Sequence, residues 1–196
     1  MSDNADLERR HFLIAATALT GGVGIAVASV PFVVSFQPSA RARALGAPVE
    51  VDISNVEPGA YIKVEWRGRA VMIVNRTQAM LDKLPSMDAV LADPSSAASV
   101  QPEYADNEYR SRRPGLLVVE GVCTHLGCVP IPRFDVAPAD LGADWVGGFY
   151  CPCHGSKFDL AGRVFSGVPA PTNLTVPPYS FINDTTVLIG AETGTA

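Results

Sequence analysis

Cys123-Thr-His-Leu-Gly-Cys128 and Cys151-Pro-Cys-His-Gly-Ser156 hold all four cysteines of this 196-residue chain and two of its three histidines. The remaining histidine, His11, belongs to a polar N-terminal stretch. Read as ligands, the two boxes give Cys-x-His, an interval of 25 residues, then Cys-x-x-His. Two thiolates and two imidazoles suit tetrahedral zinc or an iron–sulfur centre. Cys128 closes the first box, and Cys153 lies between Cys151 and His154 in the second. If Cys151 and His154 ligate a metal, Cys153 is held close by and points away from it. In an oxidising compartment Cys128 and Cys153 would tie loop to loop.

This pairing resembles the Rieske iron–sulfur proteins, specifically the iron–sulfur subunit of cytochrome bc complexes (quinol–cytochrome c reductases). The resemblance runs from the N-terminal arginines to the last strand. It implies one [2Fe–2S] cluster per chain, with Cys123 and Cys151 on one iron and His125 and His154 on the other. It also implies that Cys128 and Cys153 form the family's disulfide. Simpler Rieske ferredoxins and ring-hydroxylating oxygenases usually lack that extra pair, so the match favours the quinol-oxidising branch. The residues alone leave a zinc ribbon, or two unrelated disulfides, open.

The mixed ligand set has a physical purpose. Neutral imidazoles replace two anionic thiolates on one iron, so the oxidised cluster is formally neutral and accepts an electron more readily than an all-cysteine cluster. Each ligand histidine keeps a second ring nitrogen, whose basicity follows the iron's oxidation state. Electron and proton uptake are thereby coupled, as quinol oxidation requires.

The net charge is -5, and the basic residues cluster only at Arg9–Arg10, Arg41/Arg43 and Arg110–Arg113. Nothing supports nucleic-acid binding. Residues 12–36 carry no charge over 25 positions, enough to span roughly 30 Å of hydrocarbon as a tilted helix. Arg9-Arg10-His-Phe-Leu13 before this run resembles a twin-arginine export signal, a route that carries folded proteins. The apolar run continues past Ala26-Val27-Ala28, so it reads as an uncleaved anchor rather than a removable signal. Gly21, Gly22 and Gly24 form a small-residue patch for a neighbouring helix.

The domain organisation is therefore a cytoplasmic N-terminus at 1–11, a transmembrane helix at 12–36, a linker at 37–47 and a soluble domain at 48–196. The linker is alanine-rich and also reads as an exposed helix extension; the resemblance makes it the hinge of a mobile head. Beyond Pro48 the patterns are those of strands. Val49–Ile53 alternates with period two, and Tyr61–Trp66 and Ala70–Val74 flank a hairpin at Arg67-Gly68. Thr77–Leu84 and Met87–Leu91 read as weakly helical, and 93–113 as an irregular excursion. Leu116–Val119 is a short buried strand entering the first box. A strand near Trp145–Tyr150 precedes the second box, and Phe158–Phe165 reads as a hairpin after it. Gly167-Val-Pro-Ala-Pro171 resembles the family's proline-rich loop with Val168 as an extra residue, covering the cluster through Pro169. Tyr179–Ile182 and Thr186–Ile189 form a last hairpin. The fold class is all-β, an antiparallel domain with a small inserted cluster-binding part at about 120–170, on one N-terminal transmembrane helix.

By resemblance the chain is the oxidoreductase subunit that accepts an electron and a proton from quinol and passes the electron to a c-type cytochrome. His154 is the expected quinol contact and proton acceptor. Leu126 is expected to shield the cluster, and Ser156 to donate a hydrogen bond to a bridging sulfide. Phe158 stands where high-potential relatives carry a tyrosine that donates to the sulfur of the first cysteine ligand, here Cys123. The implied partners are cytochrome b, a c-type cytochrome, quinol and the membrane, within a dimeric complex. The implied location is the inner membrane of a bacterium with the soluble domain on the periplasmic side. An exported Rieske subunit of another oxidoreductase, of the arsenite oxidase type, is the alternative within the class. A zinc-stabilised binding module is the alternative outside it.

Overall fold

The computed structural model describes residues 2–191, and the chain divides between Ala44 and Leu45 into two units. The first is built on α1 (Ser2–Ser35), a 34-residue helix containing nearly all of the uncharged run. It is long and apolar enough to cross a membrane, by length and composition. The helix continues through Pro31 for one more turn. Proline removes one helical N–H there, and the Ser29 and Ser35 hydroxyls bond back to the carbonyls of Ala26 and Phe32. Pro38 and Ser39 then break the helix. Ser39 caps the short α2 (Ala40–Leu45), its Oγ accepting from Ala42 N at 3.1 Å. The segment read as a linker thus carries one exposed helical turn and a half, in keeping with its alanine content.

Among the described residues the second unit holds nine strands in three antiparallel sheets. β1 (Val49–Asp52) pairs with β9 (Thr186–Ile189), which pairs with β8 (Tyr179–Asn183). β2 (Tyr61–Trp66), β3 (Arg69–Asn75) and β4 (Leu116–Glu120) form the second sheet. The turn between β2 and β3 is Arg67-Gly68, with φ of 54° and 71°, the left-handed pair that matches strand twist in a two-residue hairpin. β4 is buried along its whole length, the pattern of a strand covered on both faces. Val51, Val187 and Ile189 of the first sheet share one apolar core with Val71–Val74 and Leu116–Val119 of the second.

The third sheet is the inserted part: β5 (Ile131–Arg133), β6 (Gly148–Tyr150) and β7 (Lys157–Phe158). The first box connects β4 to β5, and the second is the connection between β6 and β7. The strand expected at Trp145–Tyr150 starts only at Gly148, because Gly147 and Gly148 take φ of 108° and 154°. Trp145 instead stacks on Phe165 at 5.9 Å and donates to the Arg133 carbonyl at 3.1 Å. The hairpin expected at Phe158–Phe165 forms around a tight turn, with Phe158 bridged to Val164.

The excursion between β3 and β4 contains α3 (Gln78–Leu81), α4 (Leu84–Met87) and two 3₁₀ turns at Asp88–Val90 and Glu103–Ala105. The two weakly helical stretches are therefore several short turns. Thr77 caps the first, Pro85 opens the second, and neither continues.

β6 passes so close to β7 that a Cβ on Gly148 would collide with the Phe158 carbonyl oxygen and lie 3.1 Å from the Asp159 backbone. Backbone cannot rotate away as a side chain can. Gly148→Ala should destabilise the domain by about 3 kcal/mol, at the upper end of overpacking costs. Denaturant unfolding of the two forms checks this, and equal midpoints would contradict it.

Candidate metal centre

The two boxes fold into near-copies of one turn. In the first, Cys123 N donates to Cys128 O at 2.7 Å and Gly127 N donates to Cys123 O at 2.9 Å. In the second, Cys151 N donates to Ser156 O at 2.8 Å and Gly155 N to Cys151 O at 2.9 Å. The offsets are identical, and the glycine in each, at φ of 84° and 78°, adopts the left-handed conformation that lets the turn close. Each turn thus buries its first cysteine and leaves the residues at its tip more exposed, Leu126 and Gly127 in the first and Pro152 to His154 in the second.

Cys123 and Cys151 are both 2% exposed, and both are free thiols. Cys128 and Cys153 form a disulfide that joins the two turns. The Sγ atoms of Cys128, Cys151 and Cys153 lie within 4.8 Å of one another. Two of those sulfurs are consumed in the disulfide, so this group offers a metal only the Cys151 thiol. The imidazoles of His125 and His154 meet edge to face with ring centroids 4.9 Å apart. His154 is exposed and His125 half-buried. Burial pushes the Cys151 thiol up, and the adjacent Cys123 thiol adds to this, while the backbone N–H groups of Cys153 and His154 pull the other way. Such thiols become ligands when a cation displaces their protons. Two free, buried thiols beside two paired imidazoles fit a [2Fe–2S] centre of the mixed ligand type.

A third segment closes over the turns. Ala170 N donates to Ser156 Oγ at 3.1 Å, and Thr124 Oγ1 donates to Thr172 O at 2.7 Å. The proline-rich loop is thereby stitched to both boxes. Ala170 is buried, whereas Pro169 is exposed and Val168 packs against the core. Ser156 is fully buried. Its oxygen accepts from Ala170, which leaves its own proton to donate. Phe158 is also fully buried, in the same apolar core as Cys123 and Cys151. Leu126, 71% exposed, stands at the tip of the first turn.

The interval between the boxes is held by Arg133. Its guanidinium bonds both oxygens of Asp140, at 2.7 and 2.9 Å, and both oxygens of Asp135, at 3.0 and 3.1 Å. These two carboxylates hold the Arg133 guanidinium firmly protonated. Sequence reading missed this clamp; the spacing Arg-x-Asp, then Asp, is common on surfaces and carries no specific signal. It also missed the interior arginines behind the second box.

A domain of paired antiparallel sheets, carrying two stapled cysteine–histidine turns on an inserted three-stranded tip, is a Rieske [2Fe–2S] protein, and residues 48–179 match the Rieske [2Fe–2S] domain family. Residues 1–39 match the ubiquinol–cytochrome c reductase Fe–S subunit TAT signal. The ubiquinol–cytochrome c reductase iron–sulfur subunit of Allochromatium vinosum is 57% identical over 188 residues, covering 96% of this chain and 91% of that one. The subunit of the same name from Blastochloris viridis is 42% identical over 192 residues, covering 97% of each. A solved structure titled hyperthermophilic respiratory Complex III includes a chain 25% identical, with 90% and 98% coverage and a TM-score of 0.48. The chain belongs to the family of ubiquinol–cytochrome c reductase iron–sulfur subunits.

The disulfide closes a loop with a sequence separation of 25, for which loop-closure entropy is worth about 3.5 kcal/mol. Replacing both Cys128 and Cys153 by serine should lower the unfolding free energy by about that amount. Denaturant melts with and without the substitutions check it; a loss below about 1 kcal/mol would show that the proline-rich loop alone holds the turns together.

Proposed function

We propose that the chain is the Rieske subunit of a membrane quinol–cytochrome c reductase, taking an electron and a proton from quinol and passing the electron to a c-type cytochrome. It thereby contributes to proton translocation in respiratory or photosynthetic electron transfer. The observation that carries this is the pair of matched turns, with free buried thiols at Cys123 and Cys151 and edge-to-face imidazoles at His125 and His154. The 57% identity to a ubiquinol–cytochrome c reductase subunit over nearly the whole chain supports the same reading.

In this reading Cys123 and Cys151 hold one iron, and His125 and His154 hold the other. When bound, the [2Fe–2S] group supplies a one-electron acceptor whose potential exceeds that of all-cysteine clusters. The protein's own side chains supply the rest. His154 is the exposed imidazole of the pair, so it is the one a quinol hydroxyl can reach, and its second ring nitrogen takes the proton. Ser156, whose oxygen already accepts from Ala170 N, would donate its hydroxyl proton to the group's sulfur, which would stabilise added negative charge. Leu126 packs at the quinol site and, with the loop through Pro169, keeps water from the ligands.

The long apolar helix anchors the subunit in the membrane. We place the arginine-bearing N-terminus in the cytoplasm and the β domain on the periplasmic side of a bacterial inner membrane. Cytochrome b shares the quinol site, a c-type cytochrome receives the electron, and two copies of the subunit serve one dimeric complex. Residues 37–47 are the hinge between anchor and head. Their one short helix, flanked by Pro38 and Gly46, leaves non-helical joints on both sides.

Full-length protein purified anaerobically should contain two irons and two acid-labile sulfides per chain, with a strongly anisotropic EPR signal on reduction. Stoichiometric zinc without iron would exclude the reading.

Phe158 lacks the hydroxyl that high-potential relatives present to the first cysteine sulfur. One hydrogen bond of about 1 kcal/mol net corresponds to roughly 40 mV for a single electron. Phe158→Tyr should therefore raise the midpoint potential by roughly 40 mV. A redox titration measures it. A midpoint that stays put while stability falls would mean that the new hydroxyl is buried without a partner.

A further inference from the structure

Five charged side chains are buried among the described residues: Arg76, Arg110, Arg163, Asp159 and Glu120. Glu120 pairs with Arg69 at 2.7 Å. The other four gather at one place, the turn Asp159–Arg163 that follows the second box through β7. We propose that Arg76, Arg110 and Arg163 are positioning residues that grip this turn and set a positive interior field favouring the reduced state of the centre at Cys123, His125, Cys151 and His154. The proposal rests on the cluster reading above and deepens it.

Three successive carbonyls of the turn face guanidinium groups. Arg76 Nη1 donates to Leu160 O at 3.1 Å, and Arg110 Nη1 to Ala161 O at 3.1 Å and Gly162 O at 3.3 Å. The same arginines reach away from it as well. Arg76 Nη2 bonds the carbonyls of Tyr109 and Pro114 and the Ser111 hydroxyl. Arg110 Nη2 bonds Gln101 Oε1 and the Leu174 carbonyl. Arg163 runs in the opposite direction, from the turn to the excursion, bonding Leu84 O at 2.9 Å and Asp88 at 2.7 Å. Asn173 adds a further tie, accepting from Val164 N and donating to Asp93 O and Ser96 Oγ. The irregular segment between β3 and β4 is thus the wall against which the second box is braced.

Bracing alone is a poor reason for this choice of residue. Buried charges cost desolvation, and apolar replacements of similar volume are often neutral or stabilising. Here the cost is incomplete satisfaction as well: Arg76 Nε and Arg110 Nε are buried without a partner. The charge itself is a property an apolar side chain would lack, and among the buried side chains of this cluster three guanidiniums face a single carboxylate, Asp159. Only Arg163 bonds a carboxylate, to buried Asp159 at 2.8 Å and to Asp88 at the rim. Arg76 and Arg110 end entirely on neutral oxygens. The half-buried Asp93 carboxylate, hydrogen-bonded by Ala97 N, Ala98 N and Ser99 Oγ, acts on Arg110 at longer range. Burial pushes Arg76 and Arg110 down to about 10, which leaves both charged at neutral pH.

Arg110 borders the main apolar core. A Cβ on Gly162 would lie 3.3 Å from Arg110 Nη1 and 3.5 Å from Val119 Cγ1. Val119 belongs to the same apolar core as Phe158, Cys123 and Cys151. Through such a medium, which screens a charge weakly, the guanidinium charge would favour an electron added to the centre.

The sign of the effect separates a field from a brace. Asp159 Oδ1 accepts from Ala161 N and Arg163 N, bonds that an asparagine carbonyl retains. Arg110→Gln, Arg110→Lys and Asp159→Asn are to be introduced into the full-length chain in its membrane complex and titrated by EPR. Arg110→Gln should lower the midpoint potential, Arg110→Lys should hold it near wild type, and Asp159→Asn should raise it, all with unchanged g values. An Arg110→Gln midpoint equal to wild type with the cluster retained overturns the proposal, as do shifts of the same sign in Arg110→Gln and Asp159→Asn. If Arg110→Gln does not retain its cluster, Arg76→Gln takes its place, and an Asp159→Asn midpoint at or below wild type overturns the proposal by itself. A wild-type protein without the iron–sulfur EPR signal refutes the cluster reading; a wild type with the signal and variants without shifts refutes the field alone.

Discussion

The proposed centre needs four side chains from two loops at one point, and neither loop has a helix or a strand of its own. The requirement is met by closing each loop on itself and then on its neighbour. Two backbone hydrogen bonds at equivalent offsets fold each box into the same turn. The disulfide joins the turns, and the proline-rich loop bonds once to each. Within each box the constraints are local, and between the boxes they are the disulfide and the bonds to the proline-rich loop. What the sheets provide is a boundary: the last buried strand, β4, delivers Cys123 to the edge of the core with its thiol inside and its neighbours outside.

Much of this is legible in the order of the residues. β1 and β2 follow from alternation and β3 from the hairpin turn before it, whereas β4, covered on both faces, shows as a short continuous apolar run. Arg67-Gly68 marks its hairpin for a similar reason: few dipeptides accept two left-handed residues. The boxes declare their chemistry since cysteine and histidine occur nowhere else in the β domain. The linker is the intermediate case. Its alanines favour helix and its prolines and glycines interrupt it, so the composition alone does not decide between coil and the short α2.

The interior behind the second box is not legible in that way. Arginine is among the residues least often buried, so Arg110, read as part of a basic run with Arg112 and Arg113, gives no sign that it is fully enclosed. Its partners are carbonyls at 161, 162 and 174, far away in sequence. Backbone oxygens are present at every residue and leave no trace in the sequence. The excursion that supplies the wall likewise lacks periodicity because its order comes from side-chain bonds to backbone, not from a regular ladder.

The strand pairing at the domain's ends has a consequence for how the protein is made. β1 pairs with β9, so Val49 lies opposite Ile189, 140 residues further along the chain. The first sheet therefore cannot close until β9 has been made and has left the ribosome. Contacts this distant are slow to form. A nascent domain threaded across a membrane as it emerges would have to complete that search on the far side, with its cysteines exposed and no metal supply at hand. Residues 1–39 match a twin-arginine signal family. A route that accepts folded cargo suits a sheet whose two edges are the first and last strands of the domain.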